Sequence, residues 1–251
     1  SNVLMNANPD SSYLFSYIGY NSNCVATSTS NPLIENIDLL NIGSVTNMEG
    51  MFQYFGHKTM SSLSLGTGFD TTNVTNMSNM FKQCGYTAMT TIDLGANFNT
   101  SDVTNMSNMF NGCGSTSMTN IYFGSSTGIT TGEITLPSNF NTTNVENMSG
   151  MFQDFGKGKV VKLDLGENFN TFAVTNMSNM FNGCGTSEMT TLTLGTNFNT
   201  SAVTNMSGMF QDFAQDKMTS LSLGDFFYTN SVTNMSNMFN GCGSTSMTSL
   251  D

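Results

Sequence analysis

Residues 103–110 read Val103-Thr104-Asn105-Met106-Ser107-Asn108-Met109-Phe110, and versions of this octapeptide begin at Val45, Val74, Val103, Val145, Val174, Val203 and Val232. The steps between these valines are 29, 29, 42, 29, 29 and 29 residues. The long step is one period plus 13, so a single insertion between Val103 and Val145 accounts for it. A fixed period of this size is the signature of a repeat architecture, in which each unit buries its apolar face only by stacking on its neighbours.

Outward from the octapeptide, the other half of the period is clearest at Met189-Thr190-Thr191-Leu192-Thr193-Leu194-Gly195-Thr196-Asn197-Phe198. Apolar residues at positions one, four, six and ten predict a short strand with Leu192 and Leu194 inward, then a bend at Gly195 that carries Asn197 and Phe198 inside. Asn97, Asn139 and Asn168 hold the same ninth place, where stacked amides would satisfy backbone groups at the turn. In the octapeptide the apolar residues fall at i, i+3, i+6 and i+7, so Val103, Met106, Met109 and Phe110 are expected on one face of a short, Ser/Thr-capped helical turn. The expected fold is a leucine-rich-repeat-like solenoid with short parallel strands on one face, short helical turns on the other, and about 29 residues per turn. Fourteen of the 21 methionines belong to the Met-x-x-Met pairs. Recurrence at inward positions marks them as core filling rather than a copper or heme site.

Composition bounds the function. Net charge is −11 with six Lys and Arg, which form no patch, so neither nucleic acid nor an anionic membrane surface is an expected partner. No apolar run approaches the roughly 18 residues of a membrane span, and no direct membrane insertion is expected of this segment. Residues 1–33 match no repeat; the cluster from Tyr13 to Tyr20 reads as an N-terminal cap, with an exposed aromatic binding patch as the alternative. The solenoid is expected over 34–251, truncated within a repeat, with an insertion near 124–133 between two stretches of strand character.

Leu194, Phe198, Thr200, Val203, Thr204, Asn205, Met206, Met209 and Phe210 follow, in order, the repeat of the BspA-like leucine-rich-repeat surface proteins. The chain resembles that family over about residues 34–251, with a period somewhat longer than the family's usual repeat. The resemblance implies a cell-surface or secreted location and a role in adhesion to host proteins or other cells. It brings no catalytic motif and no cofactor.

Inspection of the reactive residues agrees in predicting no enzyme. His57 is the single histidine and is expected to be solvated in a loop. Asp38, Asp93, Asp164 and Asp251 share one outward position, too irregularly spaced for a calcium ladder to be preferred over solvation. Of the five cysteines, Cys84, Cys113, Cys184 and Cys242 occupy a position that Phe55, Phe155 and Phe213 fill elsewhere; buried thiols are expected, with a Cys84–Cys113 disulfide as the alternative. The Asn-x-Ser sequons at Asn76, Asn105, Asn147, Asn176, Asn205 and Asn234 read as one repeated structural asparagine.

The expected function is therefore an adhesin or interaction module that binds a protein or glycan on another cell or matrix. The expected surface comprises Thr191, Thr193, Ser220 and Ser222 on the strand face with Thr127 and Thr130 in the insertion. A structural subunit of an extracellular filament or surface layer, built by self-association, is the alternative. Ice binding through the outward Thr and Ser pairs is a minor one.

Overall fold

The computed structural model describes residues 5–20, 37–124 and 130–251. Its strands are β1 (Met5–Asn6), β2 (Leu40–Asn41), β3 (Ser62–Ser64), β4 (Thr91–Asp93), β5 (Asn120–Tyr122), β6 (Glu133–Thr135), β7 (Lys162–Asp164), β8 (Thr191–Thr193), β9 (Ser220–Leu221) and β10 (Ser249–Leu250). All the pairings are parallel, and from β3 onward each joins residues one period apart, such as Leu63 with Ile92, Leu163 with Leu192 and Leu221 with Leu250. The chain is a parallel β-solenoid.

Among the described residues the sole helical element is a three-residue 3-10 turn, Ile37–Leu39, so the helical turns expected over the octapeptides are not formed. Their place is taken by a ladder of linked β-turns. The N–H groups of Met48, Gly50, Phe52 and Tyr54 donate across to the next coil, to the carbonyls of Asn76, Ser78, Met80 and Lys82 at 2.8–2.9 Å. Those of Met51, Gln53 and Phe55 donate back three residues, to Met48, Gly50 and Phe52. Half of the donors are thus used between coils, which an α-helix forbids. The turns also need a left-handed residue every fourth position: Gly50 and Tyr54, Asn79 and Gln83, Asn108 and Gly112, and so on to Asn237 and Gly241. The sixth octapeptide residue is Asn or Gly in all seven versions, the two types that adopt positive φ most readily. That signal distinguishes the turn ladder from a helix with the same apolar spacing.

The ladder buries Val103, Met106, Met109, Phe110 and their equivalents completely in the interior coils. Phe52, Phe81, Phe110, Phe152, Phe181, Phe210 and Phe239 form one column of stacked rings with centroids 5.4–5.8 Å apart. Each such ring contributes roughly 1.5–3 kcal/mol through burial alone. Leu192, Leu194 and Phe198 are buried on the strand side, whereas Asn197 stays half-buried at the corner and donates to Glu167 O at 2.7 Å. Thr71, Thr100, Thr142, Thr171 and Thr200 are buried at that corner, each donating to a carbonyl of the following coil.

Neighbouring coils fit by alternation. A Cβ on Gly183 would stand 2.6 Å from Asp154 Oδ1, and one on Gly208 would collide with the Asn179 amide. Inside, Phe155 leans on Phe110 and Phe213 on Phe181, each the phenyl-column ring of the preceding coil.

Residues 5–20 form an outermost coil without the repeat sequence. Ser11, Tyr13, Phe15 and Tyr17 donate in ladder fashion to Asn47, Glu49, Met51 and Gln53, and Phe15 extends the phenyl column at 5.4 Å from Phe52.

The insertion changes the two faces differently. On the ladder face Asn105 bridges directly to Asn147, as if nothing intervened. On the strand face β5 pairs with β4 and β6 pairs with β7, while Gly132 N donates to Thr119 O in the manner of successive coils. The strand face has one extra rung. Its Phe123 ring is wedged between Phe98 and Phe140, at 6.4 and 6.1 Å, where the neighbouring corner has Phe140 stacked directly on Phe169.

Candidate functional site

The strand face presents Thr191 and Thr193 of β8, then Ser220 of β9 and Ser222, all exposed and on successive rungs. Thr130 is exposed at the insertion, on the far side of β6 and β7, and Thr127 lies outside the described residues. The predicted surface is therefore two separate places. Between them stand Glu133 and the Lys162–Asp164 pair, 3.4 Å apart, which break the run of hydroxyls. A second exposed column, Thr46, Thr75, Thr104, Thr175, Thr204 and Thr233, lies on the ladder side, but the hydroxyls from Thr75 onward donate to the preceding coil's carbonyls at 3.1–3.3 Å. Donors committed in this way are poorly placed to order water outside.

The deepest departure from regularity is a groove at the corner. In regular coils the corner asparagine donates to the carbonyl 30 residues earlier: Asn97 to Thr67, Asn168 to Ser138, Asn197 to Glu167. Across the insertion the equivalent partner of Asn139 would be Ala96, yet Asn139 donates to Phe98 O at 3.2 Å. The cause is the extra rung. Corner residues after Leu94 start from β4 and those after Leu136 start from β6, so the two corners begin two rungs apart and converge through the Asn139–Phe98 bond and the bond from Thr100 Oγ1 to Asn141 O at 2.8 Å. Pro137, standing where other coils have Gly, keeps the regular corner turn, with Phe140 N donating to Pro137 O as Phe98 N and Phe198 N donate to Gly95 O and Gly195 O. The resulting wedge is an open groove of about 370 Å³.

Polar side chains line it: Asp70 and Thr72 from one corner, Asn97, Asn99 and Ser101 from the next, Ser138, Asn139 and Asn141 from the third. Each amide spends one half locally. Asn97 and Asn139 use Nδ2 on carbonyls. Asn99 and Asn141 use Oδ1 to accept from the N–H groups of Ser101 and Thr143. Two amides thus keep an acceptor and two keep a donor for the groove. Asn97 and Asn139 were visible in the sequence as turn residues; the part played by Asn99, Asn141 and Ser138 was not, and the combination of a 13-residue insertion with Pro137 in a glycine position was the available signal.

Other reactive residues are accounted for by structure. His57 is half-buried rather than solvated: its ring is stacked between Tyr20 and Tyr86, at 4.9 and 5.1 Å, and Nδ1 lies 3.1 Å from Gln83 O. Asp93 and Asp164 accept from the N–H groups of Gly95 and Gly166 and so close their own turns. Cys84, Cys113 and Cys184 are buried free thiols, Cys242 is half-buried, and Cys24 lies outside the described residues. Burial pushes the Cys84 thiol well up, helped by a hydrogen bond with Cys113, and raises Cys184; burial alone pushes Cys242 up to about 11. These are packing thiols, not nucleophiles. Among the described residues no three His, Cys, Asp or Glu side chains converge as metal ligands. The sequon asparagines from Asn76 to Asn205 are part-buried, with Oδ1 accepting from the N–H two residues on.

Residues 22–123 and 155–249 match the family model described as Mycoplasma protein of unknown function, DUF285. The chain belongs to this family. The two matched segments are separated by residues 124–154, a stretch that contains β6, Pro137, the far wall of the groove and the octapeptide from Val145. No curated protein and no solved structure matches the chain.

Proposed function

We propose that this chain is a recognition module of a cell-surface or secreted protein, an adhesin whose stacked coils display a protein- or glycan-binding surface. The observation that carries the proposal is the contrast between a packed interior of stacked apolar side chains and an exterior rich in hydroxyl and amide groups, with a wedge-shaped polar groove at one corner. A preformed polar surface binds without the ordering cost that a flexible one incurs. The BspA-like repeat order, and the leucine-rich-repeat kinship it implies, support the same reading. The test is binding of the purified monomer to immobilised matrix proteins and to a glycan array; absence of binding to either would remove it.

A second reading, assembly into a filament or surface layer, draws on the end coils. Met5, Tyr13, Leu14 and Tyr17 are exposed on one, and Phe226, Tyr228, Met235 and Leu250 on the other, so each end presents apolar surface that a further coil or copy could cover. Sedimentation across a concentration series separates the readings: polymers support assembly, and a constant monomer mass counts against it.

A further inference from the structure

We propose that the wedge groove between the Ala96–Ser101 and Ser138–Asn141 corners binds a neutral glycan, with asparagine amides gripping adjacent hydroxyls of a sugar ring. The inference rests on the recognition reading above and names its ligand class and place.

Asn99 and Asn141 retain amide donors, Asn97 and Asn139 retain amide oxygens, and Ser138 adds a hydroxyl. A vicinal diol, whose hydroxyls each donate and accept, is matched by such a mixed set and not by a set of one kind. Charge narrows the class further. Asp70 is the single ionised residue in the lining and no Lys or Arg joins it, in a chain of net charge −11, so phosphorylated, sulfated and sialylated ligands are disfavoured. An extended peptide would need pockets for alternate side chains, and the apolar lining here is confined to Ala96 and the deeply set Phe98. A volume of about 370 Å³ lies at the lower end of the ligand-site range and suits one or two sugar rings.

The amides are oriented by bonds to the backbone, the floor is clamped by the Thr100–Asn141 bond, and Phe123 props the wedge open from inside. The groove exists in the free chain and requires no closure.

The test is isothermal titration of the intact chain with maltotriose, cellotriose, mannotriose and lacto-N-triose. At least one is expected to bind. The Asn99→Ser/Asn141→Ser double variant keeps short oxygens for the local turns and withdraws the amides, which should weaken binding about tenfold or more, the equivalent of one or two lost hydrogen bonds. Ala96→Trp, at an exposed position, should block the groove with the melting curve unchanged. Deleting residues 120–132 restores the 29-residue step and should abolish binding in a chain that still melts cooperatively. Failure of all four sugars to bind overturns the groove proposal. Sugar binding that these variants leave intact also overturns it, while leaving the broader recognition reading standing; that reading falls only if matrix proteins and the glycan array are negative as well.

Discussion

Between Val103 and Val145 the two faces of the solenoid respond to the same 13 residues in opposite ways. The turn ladder passes over them without a break, Asn105 pairing with Asn147, whereas the strand face takes in β6 as an additional rung. The difference lies in how each face is held. The ladder is fixed by inter-coil bonds at alternate residues, by left-handed residues at every fourth position and by the phenyl column, so an extra rung would disrupt all three. The strand face is held by short strands that mostly place one inward side chain between two outward ones, as β6 does, and it admits another strand if something fills the corner. Phe123 does so. The ladder therefore sets the period, and the strand face is where variation, and with it a ligand groove, can be introduced.

The largest effect that would break this comparison comes from the ladder. Phe152→Ala should destabilise by about 3–5 kcal/mol in chemical denaturation, as for a fully buried ring with stacked neighbours on both sides. A loss as small as that from Phe123→Ala, whose ring is half-buried, would show that the two faces are equally tolerant. Next, Gly183→Ala places a methyl against Asp154 Oδ1 on a left-handed residue and should cost about 1–3 kcal/mol. Adding Asp154→Gly should recover part of that loss, and a double-mutant cycle with no coupling would refute the steric account. Deletion of residues 120–132 should leave stability within about 2 kcal/mol of the parent, because a regular strand–corner connection is restored and a loop is removed. An unfolded product would mean that the extra rung is required rather than tolerated.

The smallest effect is the dependence on alkaline pH. Cys84, Cys184 and Cys242 have folded pKa values raised by burial above the unfolded value of about 8.5, with Cys242 pushed up to about 11. The folded state holds protons that the unfolded state has released, so the stability present below about pH 8.5 is lost progressively as pH rises toward 11. Denaturation midpoints measured from pH 8 to 11 should fall, and Cys184→Ala should flatten the slope. A slope unchanged by that substitution would place the titrating group elsewhere.

Much of this was legible in the sequence because periodicity is a property of the whole chain. The 29-residue step, the inward Leu192, Leu194 and Phe198, and the buried Met-x-x-Met pairs all follow from spacing alone. The ladder was misread as helical because Val103, Met106, Met109 and Phe110 fit both geometries, and only backbone chemistry at Asn108 and Gly112 separates them. Asn197 was placed inside although its amide is needed at the rim, where Glu167 O would otherwise lack a partner. The groove could not be read because it depends on Asn139 finding Phe98 in place of Ala96, a two-residue shift that arises only when the corners are splayed in three dimensions.

The alternation of bulky and glycine residues across adjacent coils has a consequence for how such a chain can change length. From Val103 onward, coils with Asn-then-Gly alternate with coils with Gly-then-Asp, so the unit that reproduces its own boundary is two coils, or 58 residues. Gain or loss of one coil would set Asn179 against Asn237, or Asp154 against Asp212, with no glycine between. Genetic duplication in this half of the molecule should therefore survive in even steps. In the adjoining coils at Val74 and Val103 both octapeptides have Asn in the sixth place, and there Gly112 stands beside Gln83.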